Sequence, residues 1–240
     1  MNSTLKRMAW NANGLLHHQQ ELQAVLDTEK VDVCLVSETH FAKQSYIKFM
    51  AHKVYHTIHP ENSARGGSAV IINENIHHHE ETKYKTEVIQ AKAVCIKARN
   101  YSIIVAGRYC TPKHPLKKYE YLEFLGQLGN RFIVGGDFNA KNTHWGSRLT
   151  TTKGIELLRA IQETGCEALS TGKPAYWPND PGKIPDLIDF IIKNIPAQYL
   201  QIEKSHDLNS DHKPTLLTLS ENLIQKGSNP VLVNRRTDFG

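Results

Sequence analysis

The sequence predicts an α/β fold in which two stacked sheets are flanked by helices. Three observations point there. Short apolar runs recur along the chain, separated by Gly, Pro and Asn turns. A few amphipathic stretches stand between them, and no internal repeat or low-complexity block interrupts the pattern. Many strands with few helices bury their apolar faces best as sheet on sheet with helices outside, in one domain. At 240 residues and 40% hydrophobic content there is material for one large core or two small ones.

In chain order, MAW is the first apolar segment. Leu15, Leu22, Val25 and Leu26 then place apolar groups on one side of a helix. Strands are predicted over 31–36 (VDVCLV), 69–72, 103–105, 132–134, 187–192 and 215–219. Leu122, Leu125 and Leu128 mark a helix before the strand at 132–134, and Ile155, Leu158 and Ile161 mark another after it. Beyond Leu219 the sequence loses periodicity and gains Gly, Pro and charge. This divides the chain into a domain over 1–220 and a linker over 221–240.

Bulk properties narrow the class. No apolar run approaches the roughly 20 residues that a membrane-spanning helix needs, and the first residues lack the apolar stretch of a secretion signal. No membrane role is expected. Cys34, Cys95, Cys110 and Cys166 lie far apart without a C-x-x-C pair, which favours free thiols in a reducing compartment over zinc or disulfides. The net charge of +5 is compatible with a polyanionic partner. His77, His78 and His79 are not expected to bind a metal. Consecutive residues do not converge on one ion, and no Cys or further His stands at a suitable spacing.

The informative feature is how the apolar runs end. MAW ends at Asn11, VCLVS at Glu38, IIVAGR at Tyr109 and FIVGG at Asp137, with Asn139 two residues on. LI leads into Asp189, and Ser210, Asp211 and His212 precede the last strand. If these ends share one sheet edge, the polar groups converge there. Carboxylates with an amide are hard oxygen ligands suited to magnesium or manganese. A histidine oriented by an aspartate adds acid–base chemistry. Together they fit attack of water on a phosphodiester. Sequence signatures of P-loop NTPases, serine hydrolases and zinc peptidases are lacking.

Within GGDFNAK, Gly135 and Gly136 leave room for close approach. In an extended chain Asp137 and Asn139 point to the same side, with Phe138 facing the core. An Asx-type turn is the competing description of the same residues.

Five motifs in order then carry a resemblance: WNANG (10–14), SET (37–39), GDFN (136–139), IDF (188–190) and SDH (210–212). They resemble those of the endonuclease/exonuclease/phosphatase superfamily. GGDFNAKNTHWGSR and PAYWPNDPGKIPDLIDF narrow the likeness to the apurinic-type endonuclease domain of jockey-like, LINE-type (non-LTR) retrotransposons. The resemblance implies a DNase I-like, four-layer α/β sandwich of largely antiparallel sheets. It also implies magnesium-dependent nicking of double-stranded DNA (manganese substituting), which leaves a 3′ hydroxyl to prime reverse transcription.

By motif, Glu38 is the main metal ligand, helped by Asn11 and Asp211. Asp137 aligns or deprotonates water, Asn139 holds the phosphate, Asp189 orients His212, and Tyr109 hydrogen-bonds the phosphate or leaving oxygen. Asn13, Lys141, His144, Arg148, Tyr176, Trp177 and Ser210 are further candidates for DNA contact. Core packing remains open for Tyr176 and Trp177, and a solvated loop for Lys141, His144 and Arg148. Ala175 stands where the family often has threonine, so a hydroxyl contact to DNA is expected to be missing. The 178–185 loop has one lysine and no arginine, which predicts readout of DNA shape more than of bases.

The implied partners are target DNA and a reverse transcriptase region in the same polyprotein. The isolated domain is expected to be a monomer, made in the cytoplasm and acting in the nucleus. A lipid or small-molecule phosphodiesterase or phosphatase, and an inactive DNA-binding copy, are the alternatives.

Overall fold

The computed structural model describes residues 4–81, 84–86, 88–195, 199–205 and 208–220; the expected linker over 221–240 lies outside these. The first half contains β1 (Thr4–Asn11), α1 (Gln19–Glu29), β2 (Val33–Ser37), β3 (His52–Thr57), β4 (Ser68–Asn73), β5 (His78–Glu80), β6 (Tyr84–Lys85) and β7 (Ile89–Lys97). The second contains β8 (Ser102–Cys110), α2 (Lys118–Gln127), β9 (Phe132–Asp137), α3 (Thr152–Thr164), β10 (Glu167–Leu169), β11 (Asp189–Asn194), β12 (Tyr199–Lys204) and β13 (Thr215–Ser220).

One sheet has the order β12-β13-β1-β2-β4-β3 and the other β10-β11-β9-β8-β7-β5, with β6 also on β7. Each sheet is mixed, with one parallel pair, β1–β2 in the first and β8–β9 in the second. Parallel neighbours need a crossover, and α1 and α2 supply it. The sheets face one another through Leu5, Val33 and Leu35 on one side and Val94, Val105 and Ile133 on the other. α1 covers the outer face of the first sheet through Leu22, Val25 and Leu26, packed with Met8, Trp10 and Cys34. α2 and α3 cover the second through Tyr121, Phe124, Leu157 and Ala160, packed with Ala106, Phe132 and Phe190. The result is the four-layer α/β sandwich.

Two local readings change. The buried stripe of α3 is Leu157, Ala160 and Ile161, while Ile155 is exposed. Gly154 sets that rotation: a Cβ there would lie 1.8 Å from the Lys141 carbonyl oxygen, so this face must turn inward. β7 is a central strand that apolar runs do not reveal, because Gln90 and Lys92 interrupt its sequence. Both are fully buried. Gln90 accepts from the Gly67 N–H at 2.6 Å, and the Lys92 ammonium reaches Glu80 and the Glu81 carbonyl.

The four cysteines are free and buried. Among the described residues no helix is long and apolar enough to cross a membrane.

Candidate active site

Parallel strands joined by a crossover end on the same edge, and both crossover units place their carboxyl ends on one side of the sandwich. In the first, Asn11 ends β1 beside Ser37 at the end of β2, and Glu38 follows. In the second, Tyr109 stands beside Asp137 at the ends of β8 and β9. β11 runs antiparallel to β9 and begins at that edge, pairing Asp189 with Asp137. The segment entering β13 brings His212 to the same place.

Hydrogen bonds join the two sheets there. Ser37 Oγ donates to the Arg108 carbonyl at 2.6 Å and accepts from the Asp137 N–H at 2.9 Å. Gly136 makes this approach possible: at φ +141°, a Cβ would meet the Arg108 oxygen at 2.0 Å and Ser37 Oγ at 2.4 Å. Asn11 Nδ2 donates to both Glu38 Oε1 and Asp137 Oδ2, each at 3.1 Å, and its Oδ1 accepts from the Asn13 N–H at 3.1 Å. Asn13, Glu38 and Asn139 all have left-handed backbones, with φ of 45°, 51° and 44°. Asparagine tolerates that region, but Glu38 is held there against its preference, as residues at functional sites often are.

Asn139 shows how GGDFNAK ends. Its N–H donates to Asp137 Oδ1 at 2.7 Å, so the segment is an Asx turn and not an extended chain. The turn still leaves Asp137 and Asn139 lining one cleft, while Phe138 is buried and stacks on Phe190 with ring centroids 4.3 Å apart. Asn139 Nδ2 donates to the Cys110 carbonyl at 3.0 Å, which leaves one amide hydrogen for a substrate.

The charges differ sharply over this small space. His212 Nδ1 contacts Asp189 Oδ2 at 2.6 Å. Burial alone would lower the His212 pKa, but Asp189, with Asp137 and Asp211 beyond, pushes it up to about 9. Burial also pushes Asp137 well above the usual carboxylate range, and the Asp189 and Glu38 charges add to this against the opposing charge of His212. Burial acts on Glu38 in the same direction, yet the result is opposite. Hydrogen bonds from His40 and Asn11 and the charge of His212 outweigh it and hold Glu38 below the ordinary range. Tyr109 is pushed up by burial and by the Glu38 and Asp137 charges, so it is a neutral phenol.

Asn13, Glu38, Asp137, Asn139, Tyr176, Asp211 and His212 line one open cleft of about 360 Å³, together with Pro112, Lys183 and Ile188. The Tyr176 ring lies 4.7 Å from that of His212. Tyr109 lines a neighbouring groove of about 390 Å³ with His59, Arg65, Lys113 and His114; Pro112 is common to both. The Ser210 hydroxyl donates to the Asn11 carbonyl at 3.0 Å and accepts from the His212 N–H at 3.2 Å, tying the β1 end to the segment that carries His212.

Trp177 stands 45% exposed with Lys204 over its ring. Lys141 pairs with buried Asp186 at 2.8 Å, and the Arg148 N–H donates to the same carboxylate. His144 lines a separate cleft with Ile161, Cys166 and Leu169. Ala175 is buried, so its side chain faces inward.

Sequence reading overlooked His40, Ser37 as the staple between sheets, and Lys153. The buried Lys153 ammonium donates to the Thr111 and Pro112 carbonyls at 2.7 and 3.3 Å. It thereby fixes the chain that follows Tyr109 and Cys110. A lysine in the first turn of a helix carries no sequence signal for such a role.

The donor set fits a hard divalent cation. Glu38, Asp137 and Asp189 gather at the strand ends with the protonated His212 as their balancing charge. Asn11 presents its amide nitrogen to the carboxylates, while its oxygen accepts one N–H from Asn13 and keeps a second lone pair. Carboxylate oxygens of Glu38, Asp137 and Asp211 line the cleft, and together with that amide oxygen they are the available hard donors.

A family model described as the endonuclease/exonuclease/phosphatase family matches residues 8–212. The chain belongs to this family. Within the matched span, Asn13, Glu38, Asp137, Asn139 and His212 line the cleft, and Asn11 and Asp189 are hydrogen-bonded to residues that do. Within the family the chain is similar to the RNA-directed DNA polymerase from mobile element jockey of Drosophila melanogaster, 32% identical over 98% of this chain and 26% of that protein. It is also similar to the probable RNA-directed DNA polymerase from transposon BS of Drosophila melanogaster, 30% identical over 98% of this chain and 26% of that one. The chain thus spans about a quarter of the length of these relatives.

Two solved structures share the family fold. The endonuclease domain of TRAS1, a telomere-specific non-LTR retrotransposon, matches with TM-score 0.75 at 21% identity, over 93% of this chain and 100% of that one. The AP endonuclease LMAP from Leishmania major matches with TM-score 0.73 at 12% identity, over 90% and 88%.

Proposed function

We propose that this chain is a magnesium-dependent endonuclease that nicks double-stranded DNA by hydrolysis of one phosphodiester. The nick leaves a 3′ hydroxyl that primes reverse transcription at the target. The observation that carries this reading is the opposite tuning of two neighbouring carboxylates beside a charged histidine in one open cleft.

Asp137, with its raised proton affinity, takes the proton of the attacking water on a side-chain oxygen. The new O–P bond forms as the P–O3′ bond breaks, and the departing 3′ oxygen takes up a proton from solvent to become the 3′ hydroxyl. His212, protonated up to about pH 9 and fixed through Nδ1 by Asp189, holds the negative charge developing on the phosphate. Tyr109 donates its phenolic hydrogen to the phosphate or leaving oxygen, and Asn139 donates its remaining amide hydrogen. Glu38, ionised, is the principal ligand for the cation, with Asp211 beside it. Magnesium, or manganese in its place, supplies charge neutralisation on the phosphate.

The groove beyond Pro112, with Arg65 and Lys113 on its walls, suits the continuing sugar–phosphate backbone. A place in a longer polyprotein with a reverse transcriptase region is part of this reading, supported by the chain's spanning about a quarter of its RNA-directed DNA polymerase relatives. Action as a monomer in the nucleus after synthesis in the cytoplasm belongs to the same reading. Sedimentation of the purified chain and imaging of the tagged protein test those two points.

The central test is conversion of supercoiled plasmid to open circles in magnesium, abolished by chelator. Absence of nicking together with turnover of a small phosphate ester would assign the cleft to a phosphatase instead. DNA binding without any turnover would assign it to an inactive copy.

A further inference from the structure

By spacing alone, His77, His78 and His79 have no partner with which to bind a metal; strand register supplies one. β5 pairs antiparallel with β7 so that His79 stands directly opposite Cys95. Directly opposed residues project to the same face of a sheet, and Glu81, two residues beyond His79, returns to that face. The imidazole of His79, the carboxylate of Glu81 and the thiol of Cys95 each bring one ligand atom into a group whose members all lie within 4.8 Å of one another. His79 Nε2 is 3.2 Å from Glu81 Oε1.

We propose that His79, Glu81 and Cys95 form a second metal site, selective for zinc-like ions, with its fourth position open to water. Tetrahedral zinc places nitrogen and oxygen ligands ~3.4 Å apart and sulfur and nitrogen ligands ~3.6 Å apart, from its usual bond lengths. The observed His79–Glu81 separation already meets the first requirement. Closing the remainder needs only side-chain rotation, because the His79 side chain is 55% exposed and that of Glu81 37%.

Cys95 is nearly buried and anchors the site from the sheet. Burial, with the Glu81 charge, holds the thiol above its ordinary range against the hydrogen bond from Ser102 and the charge of Lys97, so it is the bound metal that draws out the thiolate. On coordination the thiol proton passes to solvent and a sulfur–metal bond replaces it. Thiolate and imidazole are softer donors than the all-oxygen set magnesium prefers, so the two centres select different ions. They are also separate in the fold: β5 is the outer strand, with β7 and β8 between it and the Asp137 strand, β9. A metal here clips a three-residue edge strand to its neighbour, which protects an otherwise open edge.

The test is cobalt(II) titration of the full chain in excess magnesium, read by the thiolate-to-cobalt charge-transfer band that an oxygen-only site cannot produce. We expect a band saturating at one equivalent, displaced by one equivalent of zinc. It should be absent in Cys95→Ser and require about tenfold or more cobalt in His79→Asn. Because His79 is exposed, the second variant keeps the test valid if Cys95→Ser fails to fold. Zinc should also raise the melting temperature of the wild type and not that of His79→Asn. No charge-transfer band in the wild type, or a band unchanged in His79→Asn, overturns the site.

Discussion

The two crossover units, β1–α1–β2 and β8–α2–β9, are built alike and deliver opposite chemistry. Each ends on the same edge with an uncharged hydrogen-bonding side chain beside a carboxylate: Asn11 with Glu38, and Tyr109 with Asp137. In the first unit the acid is surrounded by donors, and it stays ionised. In the second both groups hold their protons more tightly, because burial and neighbouring negative charge act together. On the proposed reading, one carboxylate therefore binds a cation and the other accepts a proton. Local donors and charges, not strand geometry, separate the roles.

The largest expected effect comes from erasing either carboxylate or the histidine between them. Glu38→Ala, Asp137→Ala and His212→Ala should each reduce plasmid nicking by about 10²–10⁴-fold. Because the groups act as a unit, any double variant should lose little more than its worse single. Circular dichroism separates loss of chemistry from loss of fold. Additive losses would mean that the two units work independently.

Asp189→Asn acts on the comparison itself, because the Asp189 charge raises both Asp137 and His212. Both limbs of the pH–rate profile should move to lower pH, the alkaline one starting from about 9. Stability carries the same signature. The folded pKa of His212 lies above its ordinary 6.5, so its pairing stabilises fully below about 6.5 and is lost as pH rises through about 9. The melting-temperature gap between wild type and Asp189→Asn should thus be wide at pH 6 and narrow above pH 9.

A smaller effect is expected at Lys153, which supports the second unit from behind. Lys153→Met strands the Thr111 and Pro112 carbonyls and should cost about 1–3 kcal/mol in denaturant unfolding. Nicking should slow by roughly tenfold, less than the roughly hundredfold that a 1 Å misplacement costs. The smallest effect is expected at the rim: Trp177→Ala should weaken DNA binding by about 1 kcal/mol in fluorescence anisotropy, the low end for loss of one stacked base. Unchanged affinity would restrict Trp177 to its contact with Lys204.

Much of this was readable from residues. The strands over 132–134, 187–192 and 215–219 show as apolar runs, and the polar groups that end them mark the edge where they meet. What stayed hidden has a common cause. β7 does not show as an apolar run because Gln90 and Lys92 interrupt it, and the Gln90 oxygen and the Lys92 ammonium find their partners in other segments. The stripe of α3 was misphased because Gly154, not the largest apolar side chains, sets which face turns inward. For Asp137–Asn139 the sequence offers both an extended chain and an Asx turn, and the bond from the Asn139 N–H to Asp137 selects the turn.

By itself the sequence determined the class of fold, the family motifs and the roster of acids, amides and histidine at strand ends, since these depend on local pattern and residue chemistry. Only the tertiary structure decided which acid is held below and which above the ordinary carboxylate range, that Ser37 staples the sheets, that Lys153 holds the Thr111–Pro112 carbonyls, and that Cys95 stands across from His79. Those outcomes depend on register and burial between segments distant in the chain, and no local pattern encodes them.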